Sequence, residues 1–159
     1  HFIDQGFRDH RVFSNYGIIL KKLGNLQEAE LSYRKAIEIK PDHAEAYSNL
    51  GNILNDVGKS EEAELLYRKA IELNPNYADP HSNLGNILKD LGKLQDSELL
   101  YRKAIELNPN YLEAHNNLRN TLIILGNLKE ARLCSEKIMS LRSWSIRGSY
   151  SFNREMKLD

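Results

Sequence analysis

One cysteine stands in the whole chain, Cys134, so no intrachain disulfide and no thiol-rich metal site can form. No apolar run approaches the length of a bilayer span, the longest being Leu122 to Leu125. Neither sign of charge is in excess. The 22 basic and 22 acidic residues cancel, so no overall field draws in nucleic acid or an anionic membrane. Proline and glycine are few, and charged residues make up 28%, which suits a solvated helical protein better than a disordered one. Also missing are a glycine-rich phosphate loop, a serine elbow and paired carboxylates in a cleft. These absences exclude a recognisable enzyme, and nothing calls for a cofactor.

No secretory signal is visible, and the chain opens on His1 where a complete protein has Met, so it reads as a piece of something longer. A cytoplasmic setting is the default expectation.

What is abundant is repetition. A shift of 34 residues superposes Gly17, Gly51 and Gly85, then Gly24, Gly58, Gly92 and Gly126. It also superposes Tyr33, Tyr67 and Tyr101, then Pro41, Pro75 and Pro109. Four units follow, at 10–43, 44–77, 78–111 and 112–145. Residues 1–9 read as the end of a truncated preceding helix, with Phe2 and Ile3 covering the first unit. Residues 146–159 read as a C-terminal tail or the start of a further segment. The stretch YRKAIELNPNY is unchanged at 67–77 and 101–111, the mark of a duplication.

Within a unit the apolar spacing is helical. Tyr47, Leu50, Gly51 and Leu54 follow the i, i+3, i+4, i+7 pattern of one helix face. Gly58 ends that helix, and a second starts near Ser60, presenting Ala63, Leu66, Tyr67, Ala70 and Leu73. Asn74–Pro75 stops it, because proline has no N–H to donate and restricts the residue before it. Gly51 and Ala63 let the two backbones approach closely beside the Tyr67 ring. Each helix pair has an apolar face it cannot cover alone, so neighbours must stack.

Gly51, Leu54, Gly58, Ala63, Tyr67, Ala70 and Pro75 at this period closely resemble the tetratricopeptide repeat. The resemblance covers residues 10 to about 142. It implies an all-α fold, an α-solenoid wound as a right-handed superhelix from four stacked helix–turn–helix repeats, with each unit's first helix on the concave side. The function it implies is non-catalytic binding of a peptide or partner protein.

Unit four departs from the pattern. Arg119 replaces the glycine, Ser135 the tyrosine, Ile138 an alanine and Ser143 the proline. Arg119 must point outward or splay its helices, and without the proline the last helix is free to continue past Leu141. Beyond it, RSWSIRGSYSF fits either a hairpin turning at Arg147–Gly148–Ser149 or an extended tail whose aromatics cover the last helix. So short a cluster of arginines and aromatics does not point to nucleic acid.

Asparagine, a mediocre helix former, recurs at fixed places in the first helices. On a wheel of roughly 100° per residue, Glu45, Ser48, Asn49, Asn52 and Asp56 fall opposite the packed stripe. Asn15, Asn83, Asn86, Asn117 and Asn120 are their equivalents, so seven asparagines line one surface. A carboxamide offers donors and an acceptor together, which suits the backbone of an extended peptide. An exposed polar face is also what keeps any helix soluble, and duplication copies residues whether or not they are useful. Against that, unit four keeps Asn117 and Asn120 while losing its glycine and proline. A similar asparagine ladder occurs in the tetratricopeptide region of protein O-GlcNAc transferases, and Asn15, Asn49, Asn83 and Asn117 match its register. The carboxylate clamp known in the family needs basic residues on this face, which instead carries Glu45, Asp79 and Glu113 near the helix starts, with Arg11, Lys21, Lys22 and Lys89 as partial compensation.

The expected function is therefore a protein-interaction scaffold that binds through these seven residues. The alternatives are the substrate-recruiting arm of a larger glycosyltransferase and an architectural module that self-associates through Trp144, Tyr150 and Phe152. His81 and His115 occupy the register of Tyr47 and Phe13, a packing position and not a metal site, and Cys134 reads as a buried, inert thiol.

Overall fold

The computed structural model describes residues 9–155, with side chains as far as residue 143. Eight helices fill these residues: α1 His10–Lys22, α2 Leu26–Ile39, α3 Ala44–Asp56, α4 Ser60–Leu73, α5 Ala78–Asp90, α6 Leu94–Leu107, α7 Leu112–Ile124 and α8 Leu128–Glu155. Each packs on the next, most extensively within the pairs α1–α2, α3–α4, α5–α6 and α7–α8. The first helices α3, α5 and α7 also touch one another in succession. The result is an all-α solenoid of helix–turn–helix repeats.

The sequence signals act where the spacing predicts. Gly58 closes α3 with a φ of 82°, and Gly24, Gly92 and Gly126 have the same left-handed conformation. That turn lets the Lys59 N–H donate to the Leu54 carbonyl at 2.8 Å, satisfying an acceptor the helix end leaves open. α4 and α6 end at Leu73 and Leu107, two residues short of Pro75 and Pro109. At Gly17, Gly51 and Gly85 the reason for glycine is space. A Cβ there would lie 2.8, 2.7 and 2.8 Å from the rings of Tyr33, Tyr67 and Tyr101, all of them buried.

Unit four loses both halves of that contact together. With Ser135 in place of the ring, nothing requires a glycine at 119. Arg119 bends outward, its Nη2 donating to the Asn120 carbonyl at 3.1 Å, while Ser135 Oγ donates to the Ala131 carbonyl. With Ser143 in place of proline, α8 runs on to Glu155. The hairpin and the extended tail expected there are both replaced by helix, because the only strong stop in the register was the missing proline. The Trp144, Tyr150 and Phe152 side chains, and the expected helix end with Phe2 and Ile3, lie outside the described residues. Asp9 is described and caps α1, its Oδ1 accepting from the Arg11 N–H at 2.9 Å.

The first helices are the inner ones. α3 buries seven of its thirteen residues, whereas α4 buries three of fourteen. This corrects the wheel reading at Ser48. Ser48 is buried, as are its equivalents Ser82 and Ser14, the last with its Oγ 3.4 Å from His43 Nδ1. An inner helix meets its own partner and the preceding unit's second helix, so more than one face is covered, which a wheel drawn for one isolated helix does not show.

Candidate functional site

The seven asparagines follow from this placement. All sit on first helices, and the structure sorts them into three conditions. Asn52 and Asn86 are half-buried and held on both sides. The Tyr67 hydroxyl donates to Asn52 Oδ1 at 2.8 Å, and Asn83 Nδ2 of the next unit donates to the same oxygen at 2.8 Å. One period on, the Tyr101 hydroxyl donates to Asn86 Oδ1 at 2.7 Å and Asn117 Nδ2 at 2.9 Å. Asn120 is exposed and accepts from Arg119. Asn15 and Asn49 make no side-chain bond among the described residues, Asn15 being exposed and Asn49 half-buried.

A tyrosine–asparagine–asparagine relay thus joins neighbouring units twice. It gives Asn117 a structural reason to persist in unit four, namely its bond to Asn86. It also breaks where the chemistry fails. Tyr33 has Ile18 at the asparagine position, and Asn120 has Ser135 at the tyrosine position. The relay engages one end of each amide and leaves the other. Asn52 and Asn86 keep their NH2 groups as donors, while Asn83 and Asn117 keep their carbonyl oxygens as acceptors. The tyrosine rings are fixed donors at ordinary pH, since burial pushes the Tyr101 hydroxyl up to about 12 and moves Tyr67 in the same direction.

Asn52, Asn83 and Asn86 open into one hollow of about 350 Å³. Tyr67 and Tyr111 also line it, and Asn55 extends the amide lining. Its charged members are Lys21, Asp56, Asp79 and Glu113, with Lys21 Nζ 3.0 Å from Asp56 Oδ2. Asn15, Asn49, Asn117 and Asn120 do not line this hollow. Sequence reasoning treated the tyrosines only as packing rings and passed over Asn55 and Tyr111 as lining. One signal was present: Asn52–Tyr67 and Asn86–Tyr101 share a 15-residue offset.

The histidines have other work. Nε2–H of His81 donates to the Pro75 carbonyl and that of His115 to the Pro109 carbonyl, each at 3.0 Å, tying a first helix to the loop before it. Among the described residues no three His, Cys, Asp or Glu side chains converge as metal ligands. Cys134 is half-buried, and burial pushes its thiol up, which disfavours the reactive thiolate.

A solenoid of helix pairs carrying a polar groove on its inner helices defines a repeat scaffold. Models described as TPR repeat match residues 17–58 and 51–92, and models described as tetratricopeptide repeat match 78–111 and 100–132. The chain belongs to the tetratricopeptide repeat family. No curated protein sequence matches it closely enough to count as a relative. Among solved structures, MamA superposes with a TM-score of 0.78 at 22% identity, covering 88% of this chain and 82% of that one. MamA from Desulfovibrio magneticus RS-1, residues 41 to the end, gives 0.73 at 23% identity, over 86% and 77%. The first TPR of Spaghetti (RPAP3), bound to the HSP90 peptide SRMEEVD, gives 0.70 at 27% identity, over 76% of this chain and 99% of that one.

Proposed function

We propose that this chain is a protein-interaction module that holds an extended polypeptide along the amide row of its inner helices. The observation that carries the reading is the relay: it holds four amides of the inner helices by one end each, leaving N–H groups on Asn52 and Asn86 and carbonyls on Asn83 and Asn117 unengaged, with Asn52, Asn83 and Asn86 lining one hollow. A peptide backbone presents the complementary groups at short, regular intervals, and side chains fixed in advance lose little entropy on binding. The similar structure of Spaghetti in complex with a peptide supports a peptide ligand for this architecture.

The proposal keeps the four 34-residue units as its divisions, with unit four as the closing one. It assigns the chain no catalytic step, in keeping with the scaffold role of its family. A cytoplasmic location belongs to the same proposal. No helix among the described residues is long and apolar enough to cross a membrane.

The test is a random nonapeptide display screened against the chain and against Asn49→Ala/Asn83→Ala. Both proteins are first matched for helicity by circular dichroism. The wild type is expected to enrich peptides that the variant binds at least about fivefold more weakly, as fits loss of roughly 1 kcal/mol of hydrogen bonding. Equal capture by the two proteins refutes the amide row as the binding element.

A further inference from the structure

We infer that the groove selects its peptide by positive charge, seating a lysine or arginine side chain against Asp79 and Glu113. This rests on the peptide reading above and adds the chemistry of the partner. Of the four charged residues lining the hollow, Lys21 and Asp56 neutralise each other at 3.0 Å. Asp79 and Glu113 have no cation within ion-pair distance among the described residues, and both are exposed to the groove's solvent. The hollow therefore carries about two uncompensated negative charges in a chain whose total charge is zero.

On the second helices pairing depends on position: Glu28, Glu61, Glu62 and Asp96, in first turns, have no ion pair among the described residues, whereas acids further along do. Along the second helices, Glu30, Glu64 and Glu98 each pair with an arginine four residues on. Glu38, Glu72 and Glu106 each pair with a lysine three residues back. A helix dipole accounts for acids in a first turn, and Asp79 and Glu113 do stand in the first turns of α5 and α7. It does not account for their opening into the same hollow as Asn83 and Asn86. The field there also reaches the walls: after burial, the charges of Asp79 and Glu113 raise the Tyr111 hydroxyl further.

The same arrangement opposes an acidic peptide such as the SRMEEVD bound by Spaghetti, which carries three acidic side chains. Charge complementarity of this kind sets partner choice and association rate more than total affinity, and it weakens with salt.

The experiment uses three fluorescein-labelled nonapeptide pools of serine, glycine and threonine, identical except for lysine, serine or glutamate at two positions. Binding is read by anisotropy at low and high salt. The lysine pool is expected to bind at least about tenfold tighter than the glutamate pool at low salt, and the gap to shrink at high salt. Asp79→Asn/Glu113→Gln, a nearly isosteric change at exposed positions, is expected to close the gap. Asp79→Lys/Glu113→Lys is expected to reverse it. Equal binding of all three pools, with loss on Asn49→Ala/Asn83→Ala, overturns the charge inference and leaves the peptide reading standing. Failure of every pool to bind overturns both.

Discussion

Replacing Asn52 with alanine separates the two roles an asparagine has in this stack. The change deletes one oxygen that accepts from two donors, the Tyr67 hydroxyl and Asn83 Nδ2, both at 2.8 Å. Tyr67 is a buried residue with 2% of its surface exposed, so its hydroxyl depends on this partner. Stranding a buried donor costs about 1–3 kcal/mol, but the groove admits water beside Asn52, which places the tyrosine near the low end, about 1 kcal/mol. Asn83 is half-buried and rehydrates more readily, at about 0.5–1 kcal/mol. Alanine returns roughly 0.5 kcal/mol through its better helix propensity. The net expectation is a loss of about 1–1.5 kcal/mol, read as a fall in Tm of about 2–6 °C for a chain of this size.

Asn49→Ala is the internal control. It has no bonded partner to strand, so it is expected to leave stability unchanged or raise it by up to about 0.5 kcal/mol. A double-mutant cycle with Tyr67→Phe isolates the relay, with an expected coupling of about 0.5–1.5 kcal/mol. Thermal and urea unfolding followed by circular dichroism measure the wild type and all four variants. If Asn52→Ala is as stable as Asn49→Ala, or if the cycle shows no coupling, the relay does not join the units and the orientation argument for binding falls with it.

Gly51→Ala places a Cβ 2.7 Å from Tyr67 Cε1, and forcing the ring aside is expected to cost about 1–3 kcal/mol before alanine's helix preference offsets about 1. In a Tyr67→Ser background the same change should become neutral or stabilising, as in the Arg119–Ser135 pair of unit four; a cost that persists there shows that the ring is not the obstacle. In alkali, the hydroxyls of Tyr33 and Tyr101 ionise near 12 in the folded chain, against about 10 when unfolded. Their contribution to stability is therefore complete below about pH 10 and is lost as pH rises through 12. Absorbance titration at 295 nm should show a late-ionising class of tyrosines that disappears in denaturant, and a single transition near 10 in the folded protein refutes their burial.

Some of this molecule is visible in one dimension because its causes are local. Gly58 must end a helix wherever the chain needs a left-handed residue, and Pro75 must end one wherever it stands, so both act without knowledge of the rest. The period of 34 residues then carries these signals through the stack. The long α8 follows the same logic, since removing one proline removes one stop. The relay was hidden for the opposite reason. Tyr67 and Asn52 lie 15 residues apart on two helices, and Asn83 lies 31 from Asn52 in another unit. The direction of a carboxamide depends on all three.

Composition and spacing therefore sufficed for the helices, the ends that glycine or proline closes, their pairing and the family, because glycine, proline and apolar periodicity act through the backbone of the segment that contains them. Burial of Ser48 and Ser82, the neutralisation of Lys21 by Asp56, and the gathering of Asp79 and Glu113 beside Asn83 came from packing one unit on the next. Those outcomes depend on distances between side chains far apart along the chain, which no reading of one helix at a time contains.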